Sequence, residues 1–149
     1  MSTRPLDRER VERNARQFTK FAMVGASGVV VNLVVFNATL IAWHLVTDRP
    51  LSNLGLTADY VANALGFVVS VATNYYLNRR WTFRSTGRVS SEFAKFLTVS
   101  VVAYVVNLGI FTVAHTVLDL RGNVSQLIAI ACVMPVNFVF NKLWSFRQA

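Results

Sequence analysis

The sequence predicts an all-α integral membrane protein of four transmembrane helices, built as two parallel-repeat helical hairpins with both termini cytoplasmic. Three observations carry that prediction: long runs without a charged residue, a one-sided distribution of basic residues, and an internal repeat. Hydrophobic residues make up 54% of the 149 positions and charged residues 15%, where soluble domains average about 45–50% apolar and about 25% charged. Charge-free runs cover residues 21–47, 60–78, 96–118 and 122–141. Each is close to or longer than the roughly 20 residues a helix needs to cross a hydrocarbon core of about 30 Å. Spans are expected at about 21–46, 58–78, 96–118 and 123–143 of a single domain covering 1–149, with 1–20 as a cytoplasmic N-terminal segment.

The net charge of +8 is set by position. Thirteen of the fifteen Lys and Arg residues fall in 1–20, 79–95 and 142–149, all on one side of a four-span chain. The positive-inside rule makes that side cytoplasmic. Because these bases flank spans, nucleic acid is not an expected partner; anionic lipids are, at about 1 kcal/mol per basic residue near the surface.

Taken in order, Arg4 to Arg16 mixes bases with Asp7, Glu9 and Glu12 and reads as a solvated or interfacial helix. The first outer connection carries the loop residues Pro50, Ser52, Asn53 and Gly55, and the inner loop carries Ser85, Thr86, Gly87 and Ser90. The second outer connection is a tight turn over 119–123. Links this short place sequential helices side by side and antiparallel. Pro135 removes the backbone bond to the carbonyl of Ala131 and predicts a kink in the fourth span.

Other classes are excluded by what remains. A nucleotide-binding domain needs on the order of 100 residues, and the longest stretch outside the spans is the N-terminal 20. Cys132, the single cysteine, lies in the fourth run, which excludes disulfides and cysteine metal sites. The N-terminus does not read as a cleaved signal, because its apolar run exceeds the usual length of about 7–15 residues. No carboxylate pair, metal cluster or phosphate-cradling glycine loop points to an enzyme, and no cofactor is expected. No Asp or Glu lies inside a span, which counts against a proton-coupled pump. His44, His115, Asp48, Asp59 and Asp119 fall near the outer ends, as interfacial or turn residues.

The repeat is the most informative feature. Residues 18–36 shifted by 75 fall on 93–111 with nine of nineteen identities, among them Lys20 with Lys95, Phe21 with Phe96 and Asn32 with Asn107. Residues 74–84 shifted by 63 fall on 137–147, pairing Asn74, Asn78, Trp81, Phe83 and Arg84 with Asn137, Asn141, Trp144, Phe146 and Arg147. Each half has an even number of spans, so the two halves face the same way. Parallel repeats about an axis along the membrane normal are one of the two repeat types found in transporters.

Two residue sets are candidates for chemistry. The first is Asn78-Arg79-Arg80-Trp81-Thr82-Phe83-Arg84 with its copy Asn141-Lys142-Leu143-Trp144-Ser145-Phe146-Arg147, each where a span leaves the membrane on the basic side. Trp81 and Trp144 are interfacial anchors. Arg79, Arg80, Arg84, Lys142 and Arg147, with Lys20 and Lys95, are the candidate contacts for a lipid phosphate, through charge-assisted hydrogen bonds. A plain topology signal accounts for the same residues. The second set is the asparagines. Asn63, Ser70, Asn74 and Asn78 recur at helical spacing on the second span, as Asn137 and Asn141 do on the fourth. Asn32 and Asn107 lie twelve residues beyond Lys20 and Lys95, about 18 Å along a helix. Asn32, Asn74, Asn78, Asn107, Asn137 and Asn141 line a polar path for a headgroup or bond helix to helix, with Gly25-x-x-Gly28 allowing close approach.

The pattern Phe18-x-Lys20-Phe21-x-x-Val24-Gly25, an Asn in the first span, Asn74-x-x-x-Asn78-Arg79-x-Trp81-Thr82-Phe83 and the closing Trp144-Ser145-Phe146 resembles the GtrA-like family, over nearly the whole chain from Phe18 to Arg147. The resemblance implies four transmembrane helices in the bacterial inner membrane and a role in cell-surface polysaccharide synthesis. It implies the translocation of a polyprenyl-phosphate-linked sugar, with a membrane glycosyltransferase as partner. Lys142 and Leu143 depart from Arg79 and Arg80 of the first copy. A non-transporting scaffold that anchors or regulates the glycosyltransferase is the alternative. Four helices enclose little room, which leaves a homo-oligomer open.

Overall fold

The computed structural model describes residues 5–47 and 56–147, all of it helix and short connections. Helix α1 runs over Pro5–Thr47, α2 over Leu56–Leu77, α3 over Val89–Thr112 and α4 over Gly122–Phe140. Single π-helical turns follow three of them, at Asn78–Thr82, Val113–Val117 and Asn141–Ser145. No strand occurs among the described residues. The first outer loop, with Pro50, Ser52, Asn53 and Gly55, lies outside them, as does Asp48.

Three helical stretches are long and apolar enough to cross a membrane: Arg8–Thr47, Val89–Val117 and Val124–Ser145. Their outward surfaces agree with a lipid solvent, since Val30 is 60% exposed, Val105 62% and Leu127 67%. A soluble domain does not leave apolar surface of that extent uncovered. Helix α2, at 22 residues, has the length for a crossing, but Asn63, Ser70, Thr73 and Asn74 make it more polar than the others. The chain is a multi-pass membrane protein.

Two compact units share this chain, residues 22–78 forming one and residues up to 21 with 79 onward the other. In the first, α1 and α2 meet through small residues. The Ser70 hydroxyl donates to the Gly28 carbonyl at 2.8 Å. A Cβ added to Gly28 would lie 2.7 Å from Cγ of Asn74, and one added to Gly66 would lie 2.9 Å from the Asn32 carbonyl oxygen. Helix α2 turns the residues 58, 62, 66, 70, 74 and 78, every fourth position, toward the interior. Such an i, i+4 ridge of small residues is how membrane helices approach closely. Asn63 lies off this ridge and is exposed, and Gly25 has no atom within 4 Å of its added Cβ. The sequence-based stripe through Asn63 and the close approach at Gly25 are corrected accordingly.

In the second unit α3 packs on α4. Helix α4 repeats the ridge of α2 at the shift of 63, with Ser125, Ala129, Val133, Asn141 and Ser145 buried and Asn137 half-buried. The helix continues through Pro135. Under its basic end six phenylalanines form an aromatic core. Phe83 stacks on Phe146 at 4.8 Å, and Phe138 meets Phe18, Phe21 and Phe83 at 5.4, 5.7 and 5.9 Å. Phe96 reaches Phe146 at 5.9 Å. Edge-on and offset ring pairs add about 0.5–1.5 kcal/mol each beyond area burial.

The turn between α3 and α4 closes by local bonds. The Ser125 amide donates to the Arg121 carbonyl at 3.0 Å, and Nδ1 of His115 lies 2.8 Å from the Leu120 carbonyl oxygen. His115 is thus tied to the turn.

Candidate functional site

The two motif copies fold alike. In each, the helix loosens into a π turn that starts at an asparagine, Asn78 or Asn141, buried to 2% and 0% exposure. Each buries its hydroxyl residue, Thr82 or Ser145, and its phenylalanine, Phe83 or Phe146. Each leaves its tryptophan at the surface. Oδ1 of Asn78 and Asn141, and the hydroxyls of Thr82 and Ser145, have no hydrogen-bond partner. A buried polar atom left unpaired costs about 1–3 kcal/mol, so the basic ends of α2 and α4 carry a concentration of polar atoms that packing does not use.

The copies part at the cation that follows the asparagine. Arg79 holds the loop between α2 and α3. Its Nε donates to Oε2 of Glu92 at 2.8 Å, and its Nη2 to the Gly87 carbonyl at 2.8 Å. The Ser85 hydroxyl donates to the other Glu92 oxygen. A Cβ on Gly87 would collide with that carboxylate. Glu92 is 4% exposed, and α3 starts seven residues before the expected span so that its first turn can deliver this carboxylate. Lys142, by contrast, meets neutral acceptors. Its Nζ donates to Oδ1 of Asn14 at 2.6 Å and Oε1 of Gln17 at 2.7 Å, and lies 5.8 Å from the Phe138 ring.

Asn14 and Gln17 belong to the N-terminal arm of α1, read from sequence as a solvated or interfacial helix, and its residues 8–16 are exposed. The arm also borders two adjoining clefts. One, of about 450 Å³, is lined by Arg10, Arg13, Asn14, Gln17, Phe83, Lys142 and Phe146. Three cations face it and no carboxylate does. The other, of about 470 Å³, takes Arg13, Arg16, Lys20, Thr82 and Arg84, but also Glu9 and Glu12. Arg16 pairs with Glu12 at 3.9 Å. Nζ of Lys20 lies over the Trp81 ring at 5.1 Å. Arg84 closes its π turn with φ 49°, a left-handed conformation that side chains with a Cβ rarely adopt. The sequence reading missed Arg10, Arg13 and Arg16; with Gln17 and Lys20 they recur at three- and four-residue intervals, the helical spacing that would have found them.

Residues 20–146 match the GtrA/DPMS transmembrane domain. The chain belongs to that family. Two curated relatives are similar along almost their whole length: the bactoprenol-linked glucose translocases of Shigella phage SfV and Shigella phage SfII. Each is 26% identical over 136 residues, covering 89% of this chain and 96% of the relative.

Within the matched GtrA/DPMS stretch lie Lys20, Arg84 and Lys142, while Arg10, Arg13 and Arg16 precede it. The arm that completes the acid-free cleft thus lies ahead of the matched stretch. Of the other basic residues singled out from sequence, Arg80 and Arg147 are exposed and Lys95 is half-buried. None of the three lines either basic cleft. Among the asparagines, Asn32 and Asn74 sit at the α1–α2 glycine contacts. Asn141 donates to the carbonyl of Asn137 at 2.9 Å and to its Oδ1 at 2.8 Å. Asn107 is half-buried on α3.

Proposed function

We propose that this chain carries a polyprenyl-phosphate-linked monosaccharide across the bacterial inner membrane for cell-surface polysaccharide or glycan synthesis, acting as a carrier and not as an enzyme. All four helices cross, and both termini and the two basic clefts face the cytoplasm. The observation that carries this reading is the acid-free cleft. Arg10, Arg13 and Lys142 face one space, with Lys142 oriented by two neutral side chains so that its charge is not cancelled. A phosphate there gains charge-assisted bonds. Lys20 and Arg84 of the neighbouring cleft extend the bed, and Arg79 stands outside it as the clasp of the inner loop. The similar phage proteins, named for a bactoprenol-linked glucose, supply the substrate class.

The sugar then leaves water along the asparagine ladder of α4, where the half-buried Asn137 is bonded to the buried Asn141. An unpaired hydroxyl in hydrocarbon costs several kcal/mol, about 4–8 on transfer to alkane, so amides on this route lower the barrier. No energy source is built in, and movement is equilibrative. A membrane glycosyltransferase supplies the lipid-linked sugar.

The test is leaflet exchange of a labelled polyprenyl-phosphate sugar in liposomes holding only this protein, read with an impermeant probe. Exchange is expected, and Lys142→Gln should slow it by about tenfold, the equivalent of one lost charge-assisted bond. Exchange at the rate of empty liposomes would sink the carrier reading. One observation favours the alternative of a scaffold for the glycosyltransferase: Asn32 and Asn74 are engaged in close helix contacts. A scaffold gives no exchange but co-purifies with the enzyme.

A further inference from the structure

The lipid tail has a place of its own on this protein. We propose that the groove between α3 and α4 seats the isoprenoid chain of the lipid whose phosphate binds at Lys142; the inference rests on the carrier reading and deepens it. The groove has a volume of about 740 Å³. Its floor is Val99 and Val133, both buried, and its walls are Val102, Val106, Val136 and Val139, all about half exposed. Ala103 and Cys132 leave depth between the walls.

Two polar side chains line the groove, and both are turned to their own helices. The Thr98 hydroxyl donates to the Ala94 carbonyl at 2.9 Å, and Oδ1 of Asn137 accepts from Asn141 at 2.8 Å. The surface offered is therefore apolar along its length. From Cys132 on α4 to Trp144 in the π turn that follows it, and from Thr98 to Ile110 on α3, the ends of the lining lie twelve residues apart, about 18 Å of helix. That is a little over half of a hydrocarbon core of about 30 Å: the groove serves one leaflet, beginning at its basic end.

Three features commit it to a prenyl chain carrying an anionic head. The first is continuity. Lys142 lines the acid-free cleft, and the next two residues of the same π turn, Leu143 and Trp144, line the mouth of the groove. The second is charge: an amphiphile entering here places its head beside three cations with no carboxylate among them. The third is shape. Six valines present pairs of methyl groups in two facing rows. A chain with a methyl branch on every isoprene unit interlocks with such rows, and close contact is what dispersion rewards. A straight acyl chain leaves gaps between them.

The experiment uses the whole protein in phosphatidylcholine nanodiscs with a polyprenyl phosphate bearing a photoreactive diazirine part-way along its chain. Cross-links mapped by mass spectrometry should concentrate on 98–110 and 132–144. Unlabelled polyprenyl phosphate should compete at least about tenfold better than phosphatidic acid of equal charge. Val102→Trp and Val136→Trp, on exposed wall positions, should fill the groove and abolish the cross-links. Both variants should keep Lys142-dependent binding of methyl phosphate, a head-group probe with no prenyl chain to enter the groove. Cross-links spread evenly over the lipid-facing helices, or equal competition by phosphatidic acid, would overturn the proposal and leave bulk lipid as the occupant. Absence of cross-links, together with disulfide-linked dimers through the exposed Cys132 when a mild oxidant is added, would overturn it in favour of a dimer contact. Absence of methyl phosphate binding in the unmodified protein marks failure of the carrier reading itself, a result separate from failure of the groove.

Discussion

Asn78–Arg84 and Asn141–Arg147 are two copies of one motif with one backbone and two chemistries. Both start from a buried asparagine, pass through a π turn, expose a tryptophan and bury a phenylalanine, and the two rings stack on each other at 4.8 Å. They differ at one cation. Arg79 meets the buried carboxylate Glu92 and becomes part of the loop's framework. Lys142 meets Asn14 and Gln17 and keeps its charge. A duplicated element thus leaves one copy to hold the loop and the other, on the carrier reading proposed above, to meet a ligand. The partner, and not the cation, decides which.

The largest way to break that comparison is to strip Arg79 of its counter-charge. Glu92→Ala leaves a guanidinium only 18% exposed without a partner and should cost about 3 kcal/mol, read as unfolding in graded denaturant. Lys142→Gln, the matching neutralisation in the other copy, should leave stability nearly unchanged. Equal losses would erase the distinction. A smaller effect is expected at the α1–α2 contact. Gly28→Ala pushes a Cβ into Asn74 and should destabilise by about 2 kcal/mol. Gly25→Ala, which meets open space, should be neutral or stabilising by up to about 1 kcal/mol through helix propensity.

Arg84 sharpens the comparison from the side of function. Arg84→Gly relieves a left-handed backbone but gives up the side chain's own interaction, so stability should shift by no more than about 1 kcal/mol, yet sugar exchange should slow because a cation leaves the cleft. A variant that stays fully active would remove Arg84 from the site. The smallest stability change belongs to the unpaired hydroxyls. Thr82→Val and Ser145→Ala delete groups that bond nothing in the protein, so their stability cost should stay within about 0.5 kcal/mol. A drop in exchange without a change in stability would show that the hydroxyls meet the ligand.

The fold was legible because a membrane helix announces itself locally: a run without charge, with bases at one end, needs no knowledge of distant partners. The ridge on α2 was only half legible. Following asparagines picked up Asn74 and Asn78 but also the exposed Asn63, whereas the buried positions recur every fourth residue through alanine and glycine. The roles of Arg79 and Lys142 were not legible at all. Glu92 lies 13 residues from Arg79, and Asn14 and Gln17 lie 128 and 125 from Lys142. One-dimensional spacing does not report such pairs. The clefts bordered by the arm of α1 were not legible for the same reason: its exposed residues read as a solvated or interfacial helix, and the residues facing them across the clefts lie far along the chain.

The most direct test of the division of labour is geranyl phosphate binding to two variants. In Arg79→Met/Glu92→Leu the ion pair gives way to apolar groups, a replacement that is often neutral for stability. In Lys142→Gln the free cation is lost. Unchanged affinity in the double variant and about a tenfold weaker affinity in Lys142→Gln is the predicted result. Affinity lost in the first and kept in the second would place the phosphate at Arg79 and reverse the two roles.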